Sequence, residues 1–210
     1  MRFLSFLFAL ALLPSIAAAQ NMPIYVKVMD VASDDTLNVR SLPSAKGEIL
    51  GEIPHDATGI EVLAKDDSGK WAKINWQESH GWMSMRYLQE YDIEKIGSTA
   101  LPSGILCGGT EPFWSLRLGN QGASYSDISG SVHLMAINGI RVAQGRPFFP
   151  LQLGLAGQTA GANAFIRPAQ CSDGMSDVDY PYQLDFLISD GQEQTLLEGC
   201  CALPLEVGSH

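Results

Sequence analysis

Four cysteines constrain the fold of this chain more than any other feature, because all of them lie in its second half and two are neighbours, Cys200 and Cys201. The residues around this pair follow a strand-like pattern, and a strand turns neighbouring side chains to opposite faces. A bond between the two would also require a distorted peptide geometry. We therefore predict two disulfides in which Cys200 and Cys201 each bond to one of Cys107 and Cys171, in an order that the sequence leaves open.

The N-terminal segment predicts where such disulfides can form. Arg2 is followed by an apolar run that reaches Ile16, and the small residues Ala17, Ala18 and Ala19 come next. This layout is typical of a secretory signal peptide over residues 1–19. The alternative is a retained anchor, but the run is short for a span of roughly 20 residues. We expect a periplasmic or secreted protein with no membrane insertion after cleavage, where an even number of cysteines favours disulfides.

Charge and histidine spacing exclude several classes of function. The chain has 13 Lys and Arg against 23 Asp and Glu, a formal charge of −10, and no basic stripe. Nucleic acid is therefore not expected as a partner. The four histidines, His55, His80, His133 and His210, are scattered without a metal-ligand spacing. The sequence thus predicts no metal site and no cofactor, and it leaves the oligomeric state open.

The first half reads as a series of short strands separated by turns. Leu37–Arg40 alternates, Gly59–Ala64 is a clean strand, and Trp71–Trp76 alternates after the turn Asp66–Lys70. Strands this short, at this spacing and without a helical period, are typical of a small β-barrel.

Three strings in this half carry a resemblance to a known family. They are Leu-Asn-Val-Arg-Ser from residue 37, Gly-Lys-Trp-Ala-Lys-Ile from residue 69 and His-Gly-Trp-Met-Ser-Met-Arg-Tyr-Leu from residue 80. In order and spacing, this half resembles the bacterial SH3-like (SH3b) family. The resemblance implies a small barrel over residues 24–90 that either binds a cell-wall peptide or packs against a neighbouring domain.

Aromatic residues are the candidate binding residues of this barrel, because so small a core cannot hold all of them. Rings left on the surface form peptide-docking grooves. For Val39, Trp71 and Trp82 the alternative is that they build the core. The predicted groove residues are Tyr25, Asn38, Arg40, Trp71, Trp82 and Tyr87.

Residues 91–104 are expected to form a linker, and residues 105–207 a second unit of alternating, glycine-rich strands. No sustained helical period is found there, so we predict an all-β chain whose second part is an antiparallel β-barrel of roughly 100 residues. The strings Cys107–Ser115, Cys171–Asp177 and Gly199–Cys201 resemble an uncharacterised family of bacterial envelope proteins. That resemblance leaves the activity of the second part open.

The candidate binding residues of the second part are Glu111, Trp114, Asp173, Asp177 and Tyr180. Glu111 and Trp114 could line a pocket, or they could mark the start of a strand whose aromatic side chain plugs the barrel. Three carboxylates fall within residues 173–179, but no glutamate follows at the distance of a calcium loop. A hydrogen-bonded loop is the favoured interpretation.

The sequence favours a non-catalytic binding protein and predicts no catalytic residue. Its SH3b half would recognise a cell-wall peptide or an envelope protein, and its second half would bind an unknown ligand or partner. One alternative is an inhibitor that presents the loop Asp173–Tyr180 to a lysozyme-type wall hydrolase. A second alternative is a wall hydrolase that uses Glu111 with Asp173 or Asp177.

Overall fold

A computed structural model describes residues 22–191 and 193–206; the predicted signal peptide and His210 lie outside the described residues. The chain is all-β, as the sequence predicts, and folds into two barrels. The strands of the first barrel are β1 Ile24–Val28, β2 Thr36–Arg40, β3 Ile49–Pro54, β4 Ile60–Val62, β5 Ala64–Lys65, β6 Trp71–Trp76, β7 Ser79–Ser84 and β8 Leu88–Glu90, with a 3-10 helix Met85–Tyr87 before β8.

The first barrel consists of a three-stranded sheet, β4-β1-β8, and a five-stranded sheet, β3-β2-β7-β6-β5. Alternation along the strands builds its core: Ala72 and Ile74 of β6 are buried, whereas their neighbours are only partly covered. Val39 of β2 and Met83 of β7 complete the inner face of the larger sheet.

The second barrel is a closed antiparallel barrel of eight strands. Each strand pairs with the next one along the chain, and the last pairs with the first, so that no edge is left open. The strands are β9 Ile105–Thr110, β10 Phe113–Gly119, β11 Gly122–Asp127, β12 Val132–Val142, β13 Leu151–Gly157, β14 Gly161–Cys171, β15 Tyr180–Ser189 and β16 Gln194–Ala202.

Side chains fill the interior of the second barrel, as expected for eight strands. Trp114 is buried and stacks on Phe186 and Tyr125, with ring centroids 5.8 and 6.3 Å apart. Tyr182 is buried near them and contacts Phe149. Trp114 is therefore a core residue of this barrel.

The two predicted disulfides are present, and each of the neighbouring cysteines takes a distant partner. Cys107 bonds to Cys201, and Cys171 bonds to Cys200. Cys107 and Cys201 lie opposite each other where β9 meets β16, in the core of the barrel. The side chain of Cys200 points away from the core, to the opposite face of β16. Its bond to Cys171 therefore attaches the end of β14 on the outer side of the barrel.

Two glycines leave the space that the Trp114 indole occupies. A methyl group at Gly109 would come within 2.4 Å of the Trp114 Nε1 atom. One at Gly199 would lie 2.6 Å from the indole ring and 2.4 Å from the carbonyl oxygen of Gly108. The strings around Cys107 and Cys200 are therefore explained by packing, because the ring fits only where these strands carry no side chain.

Replacement of Gly199 by alanine is expected to lower the free energy of unfolding by about 1–3 kcal/mol, since the backbone or the buried indole must shift. Urea denaturation followed by tryptophan fluorescence measures this loss. Gly161→Ala is the matched control, because a methyl group there meets only the Leu155 carbonyl at 3.6 Å. Equal stability of the two variants would contradict this account of the packing.

The expected linker packs against the second barrel. Ile96 and Leu101 are buried in its core cluster, and Lys95 forms an isolated β-bridge with Pro102. This segment thus covers one end of the barrel. No helix in the described part of the chain is long and apolar enough to cross a membrane.

Candidate functional site

The outer face of the five-stranded sheet carries a set of partly exposed aromatic and polar side chains. On β6, Trp71, Lys73 and Asn75 alternate with buried residues and point away from the core. On β7, His80 and Trp82 do the same. We call this surface the outer sheet face.

A row of cationic and aromatic side chains crosses three strands of this face. Trp82 lies opposite Lys73 of β6 on one side and opposite Arg40 of β2 on the other. Residues paired in this way project from the same face of a sheet, within reach of each other. The Arg40 guanidinium also donates a hydrogen bond of 2.9 Å to the Gly47 carbonyl, which fixes its position beside the β2–β3 connection.

A tight turn places Trp71 at the start of β6. The Asp66 carboxylate accepts hydrogen bonds from the backbone N–H groups of Lys70 and Trp71, at 2.9 and 2.8 Å. Gly69 has a φ of +67°, a conformation that glycine adopts at little cost. The Asp-Asp-Ser-Gly-Lys sequence therefore sets the register in which β6 leaves the turn.

Four of the six predicted groove residues share the outer sheet face: Asn38, Arg40, Trp71 and Trp82. Asn38 lies two residues before Arg40 and so projects to the same side. Val39, the residue between them, is fully buried in the core, whereas Trp71 and Trp82 are only partly covered and stay outside that cluster.

The other two predicted groove residues lie elsewhere. Tyr87 belongs to the 3-10 helix and packs against the core of the first barrel, with the Arg86 guanidinium 5.4 Å from the centre of its ring. Tyr25 points toward the second barrel, where its hydroxyl lies 3.2 Å from the hydroxyl of Tyr182. Neither ring belongs to the outer sheet face.

Tyr25, Glu61 and Tyr182 form a buried polar cluster between the barrels. The Tyr25 hydroxyl donates to Glu61 Oε1 at 3.2 Å, and the backbone N–H of Leu203 donates to Glu61 Oε2, also at 3.2 Å. Leu205 packs against the core of the first barrel nearby. The segment that follows β16 therefore joins both barrels at this point.

Burial raises the pKa of the Glu61 carboxyl to about 8, although the hydrogen bonds from Leu203 and Tyr25 act in the opposite direction. Burial also raises the pKa of Tyr25, and the neighbouring Glu61 adds to that effect. At neutral pH the cluster is therefore largely uncharged, as an interface closed to water favours.

A second contact between the barrels involves the loop before β15. Lys73 forms an ion pair with the Asp179 carboxylate. The Asn75 side chain donates to the Asp179 carbonyl at 2.8 Å and accepts from its N–H at 3.1 Å. The N–H of Asp177 donates to the Glu78 carbonyl at 3.1 Å. Part of the outer sheet face is thus covered by residues of the second barrel.

The Asp173 carboxylate stabilises the loop before β15 by hydrogen bonds to residues of the same loop and to Tyr180. Its carboxylate accepts hydrogen bonds from the N–H groups of Met175 and Ser176, and from the hydroxyls of Ser176 and Tyr180. Partial burial raises the pKa of this carboxyl, but the four hydrogen bonds outweigh it and hold the pKa at about 2. The favoured hydrogen-bonded loop is therefore found, and Tyr180 belongs to it as a donor.

The remaining residues predicted in the second barrel do not converge on a pocket. Glu111 is exposed in the turn between β9 and β10, and Trp114 is buried inside the barrel. Asp177 is exposed on the docked loop. Among residues 22–191 and 193–206, no group of three or more His, Cys, Asp or Glu side chains is arranged to hold a metal ion.

A groove runs between the outer sheet face and the docked loop. Its volume is about 700 Å³. It is lined mainly by polar residues from both barrels: Lys73 and His80 from the first, and Ser172, Ser176, Asp177 and Asp179 from the second. The groove is open to solvent. Lys73, which lines it, lies directly opposite Trp82 in the sheet.

Comparison with known protein families assigns the first barrel. Residues 35–89 match the bacterial SH3 domain family. The match covers β2 to β8, and so includes the strands that carry Arg40, Lys73 and Trp82. No curated protein and no solved structure is detectably similar to the chain.

Five residues whose side chains make the polar contacts between the barrels are absent from the set predicted from the sequence: Glu61, Lys73, Asn75, Asp179 and Tyr182. The burial of Glu61 could have been suspected from the sequence, because this residue stands between Ile60 and Val62. All three residues of that strand are buried. Nothing local marks the others, since their roles depend on the packing of one barrel on the other.

Proposed function

We propose that this protein is a non-catalytic binding protein of the bacterial envelope whose SH3 domain holds a cell-wall peptide or an envelope protein on its outer sheet face. The observation that carries the proposal is that Trp71 and Trp82 stand outside the core on one face of the sheet, where Trp82 lies directly opposite Arg40. Partly exposed rings next to cationic groups suit extended peptides, because rings bury aliphatic surface while the cations bind carboxylates.

Export remains part of the proposal. Two disulfides in the second barrel suit an oxidising compartment outside the cytoplasm. A signal peptide at residues 1–19 would deliver the chain there. The resemblance of the second barrel to an uncharacterised envelope family agrees with this location and assigns no activity.

Replacement of Trp82 by alanine is expected to abolish retention on purified peptidoglycan, or to weaken it at least about tenfold, because an aromatic anchor commonly contributes about 2 kcal/mol or more. The measurement is co-sedimentation of the full-length mature chain with insoluble wall material. Phe113→Ala is the matched control, since Phe113 is an exposed ring of the second barrel, 49% accessible. Equal retention of the two variants would remove the outer sheet face from the proposal.

The two alternative functions have less support. A glycosidase needs a protonated acid, with a raised pKa, facing a second carboxylate. Asp173 has a lowered pKa, and its carboxylate is engaged in its own loop. An inhibitor loop should offer its residues to an enzyme, whereas Asp177 and Asp179 already contact the first barrel.

A further inference from the structure

The segment Asp177–Asp179 contacts the outer sheet face as a bound peptide would. One side-chain amide, that of Asn75, pairs with both the N–H and the carbonyl of Asp179. Lys73 binds the Asp179 carboxylate, and the Glu78 carbonyl accepts the N–H of Asp177. Peptide-binding domains read extended ligands in this way, with backbone hydrogen bonds for affinity and a side-chain contact for selection.

The barrels have another junction that does not use this segment. Tyr25, Glu61 and Tyr182 are buried together, Leu203 is hydrogen-bonded to Glu61, and Leu205 packs on the first core. The contacts of Asp177–Asp179 are instead polar and partly open to solvent. Such contacts exchange readily with other polar partners, since an ion pair that water can reach contributes little net stability.

The segment also ends where the proposed binding face begins. Lys73, which Asp179 engages, lies directly opposite Trp82 in the sheet. A peptide laid along the row of Arg40 and Trp82 would therefore meet Asp179 at its next contact. The groove of about 700 Å³ beside the segment leaves room for further residues of such a peptide.

We propose that Lys73, Asn75 and the Glu78 carbonyl form a peptide subsite of the SH3 domain, that Asp177–Asp179 occupies it internally, and that its external partner is an extended peptide carrying a carboxylate. This inference rests on the proposed function and specifies its ligand class. A tethered occupant competes at an effective concentration in the millimolar range. External peptides therefore bind weakly until they displace it.

The test uses the full-length mature chain and a labelled synthetic peptide with the sequence of residues 175–180, acetylated and amidated at its ends. Fluorescence anisotropy gives its Kd. Asp179→Lys places a cation beside Lys73 and should release the internal segment, which lowers the Kd of the peptide about tenfold or more. Asp179→Asn, of nearly the same shape but uncharged, should give a smaller decrease.

Two controls tie the gain to the subsite. Adding Asn75→Ala to Asp179→Lys should remove the gain, and a peptide with asparagine in place of its second aspartate should bind more weakly than the original. Asp177→Pro, which deletes the N–H donated to Glu78, provides a second release variant if Asp179→Lys fails to fold. Near-ultraviolet circular dichroism reports whether each variant keeps its packed aromatic core.

Unchanged peptide affinity in both release variants, or a gain that survives Asn75→Ala, overturns the inference. Retention on peptidoglycan is measured separately on the same proteins. If the Kd of the peptide changes as expected but the protein is not retained on wall material, then the subsite is supported and the wall-binding function is contradicted. If the protein is retained on wall material, Trp82→Ala removes that retention, and the Kd of the peptide is the same in all variants, then the wall-binding function is supported and the subsite is contradicted.

Discussion

Replacement of both Cys107 and Cys201 by alanine is expected to lower the free energy of unfolding of the second barrel by about 4–5 kcal/mol. The bond spans 94 residues of chain. Closing so long a loop removes much of the conformational freedom of the unfolded state, by about 4.7 kcal/mol in the chain-entropy model. A loss of this size is comparable with the whole stability of many domains.

The position of this disulfide adds a reason specific to the barrel. The ladder between β16 and β9 contains only three residue pairs, Cys200 with Gly108, Cys201 with Cys107 and Ala202 with Leu106. It is the shortest ladder of the eight in the barrel. The covalent bond therefore lies where backbone pairing holds the barrel closed least well.

Urea denaturation of the double variant, compared with wild type, measures the effect. The matched control is Cys171→Ala with Cys200→Ala, whose bond spans 29 residues and contributes about 3–4 kcal/mol on the same entropic argument. This control should lose less stability. If the Cys171–Cys200 pair proves the more important of the two, chain entropy and barrel closure do not account for the role of Cys107–Cys201.

Sequence patterns were sufficient for the elements whose cause is local. The alternation of β6 and the turn at Asp66 predict a strand from Trp71, and the structure places it there. The neighbouring cysteines predict separate partners because a strand divides their side chains between two faces. Only the pairing order stayed open, since it depends on which strand closes the barrel against β9.

The candidate site was predictable only in part, because alternation assigns residues to a face without saying which face is covered. Trp71 and Trp114 both follow strand patterns, yet the first is on a surface and the second is in a core. The space for Trp114 comes from Gly109 and Gly199, which belong to different strands. Tyr25 was expected in a groove and instead meets Tyr182, 157 residues away.

The two junctions between the barrels differ in chemistry. The cluster around Glu61 is buried, and burial raises the pKa of the Glu61 carboxyl so that it is largely protonated at neutral pH. The contact of Lys73 and Asn75 with Asp179 is polar and accessible. A protein built in this way can keep its two barrels joined at the first junction while the second exchanges its occupant. The binding that we propose at the outer sheet face would therefore not require the barrels to separate.

Glu61 is expected to make the protein more stable at pH 5 than at pH 8. Burial raises the carboxyl pKa from 4.5 to about 8 in the folded state. Between these values the folded chain holds a proton that the unfolded chain has released, so the free energy of unfolding falls as the pH rises. The contribution of Glu61 to the free energy of unfolding is fully present below pH 4.5 and is lost as the pH rises through about 8.

Glu61→Gln keeps the shape and the hydrogen-bonding oxygen of the side chain but cannot ionise. From pH 5 to pH 8, the wild-type free energy of unfolding should fall by roughly 3–4 kcal/mol more than that of this variant. Chemical denaturation at several pH values measures the difference. Glu52→Gln removes one exposed carboxylate from the first barrel and is the matched control for net charge.

The pH dependence of the control should follow that of wild type, because an exposed carboxyl interacts with water in both the folded and the unfolded chain. Parallel curves for wild type and Glu61→Gln would mean that Glu61 is solvated or paired with a cation in solution. The junction of Tyr25, Glu61 and Tyr182 would then be open to water. A flattened curve for Glu61→Gln alone requires instead that the two barrels stay packed around an uncharged carboxyl.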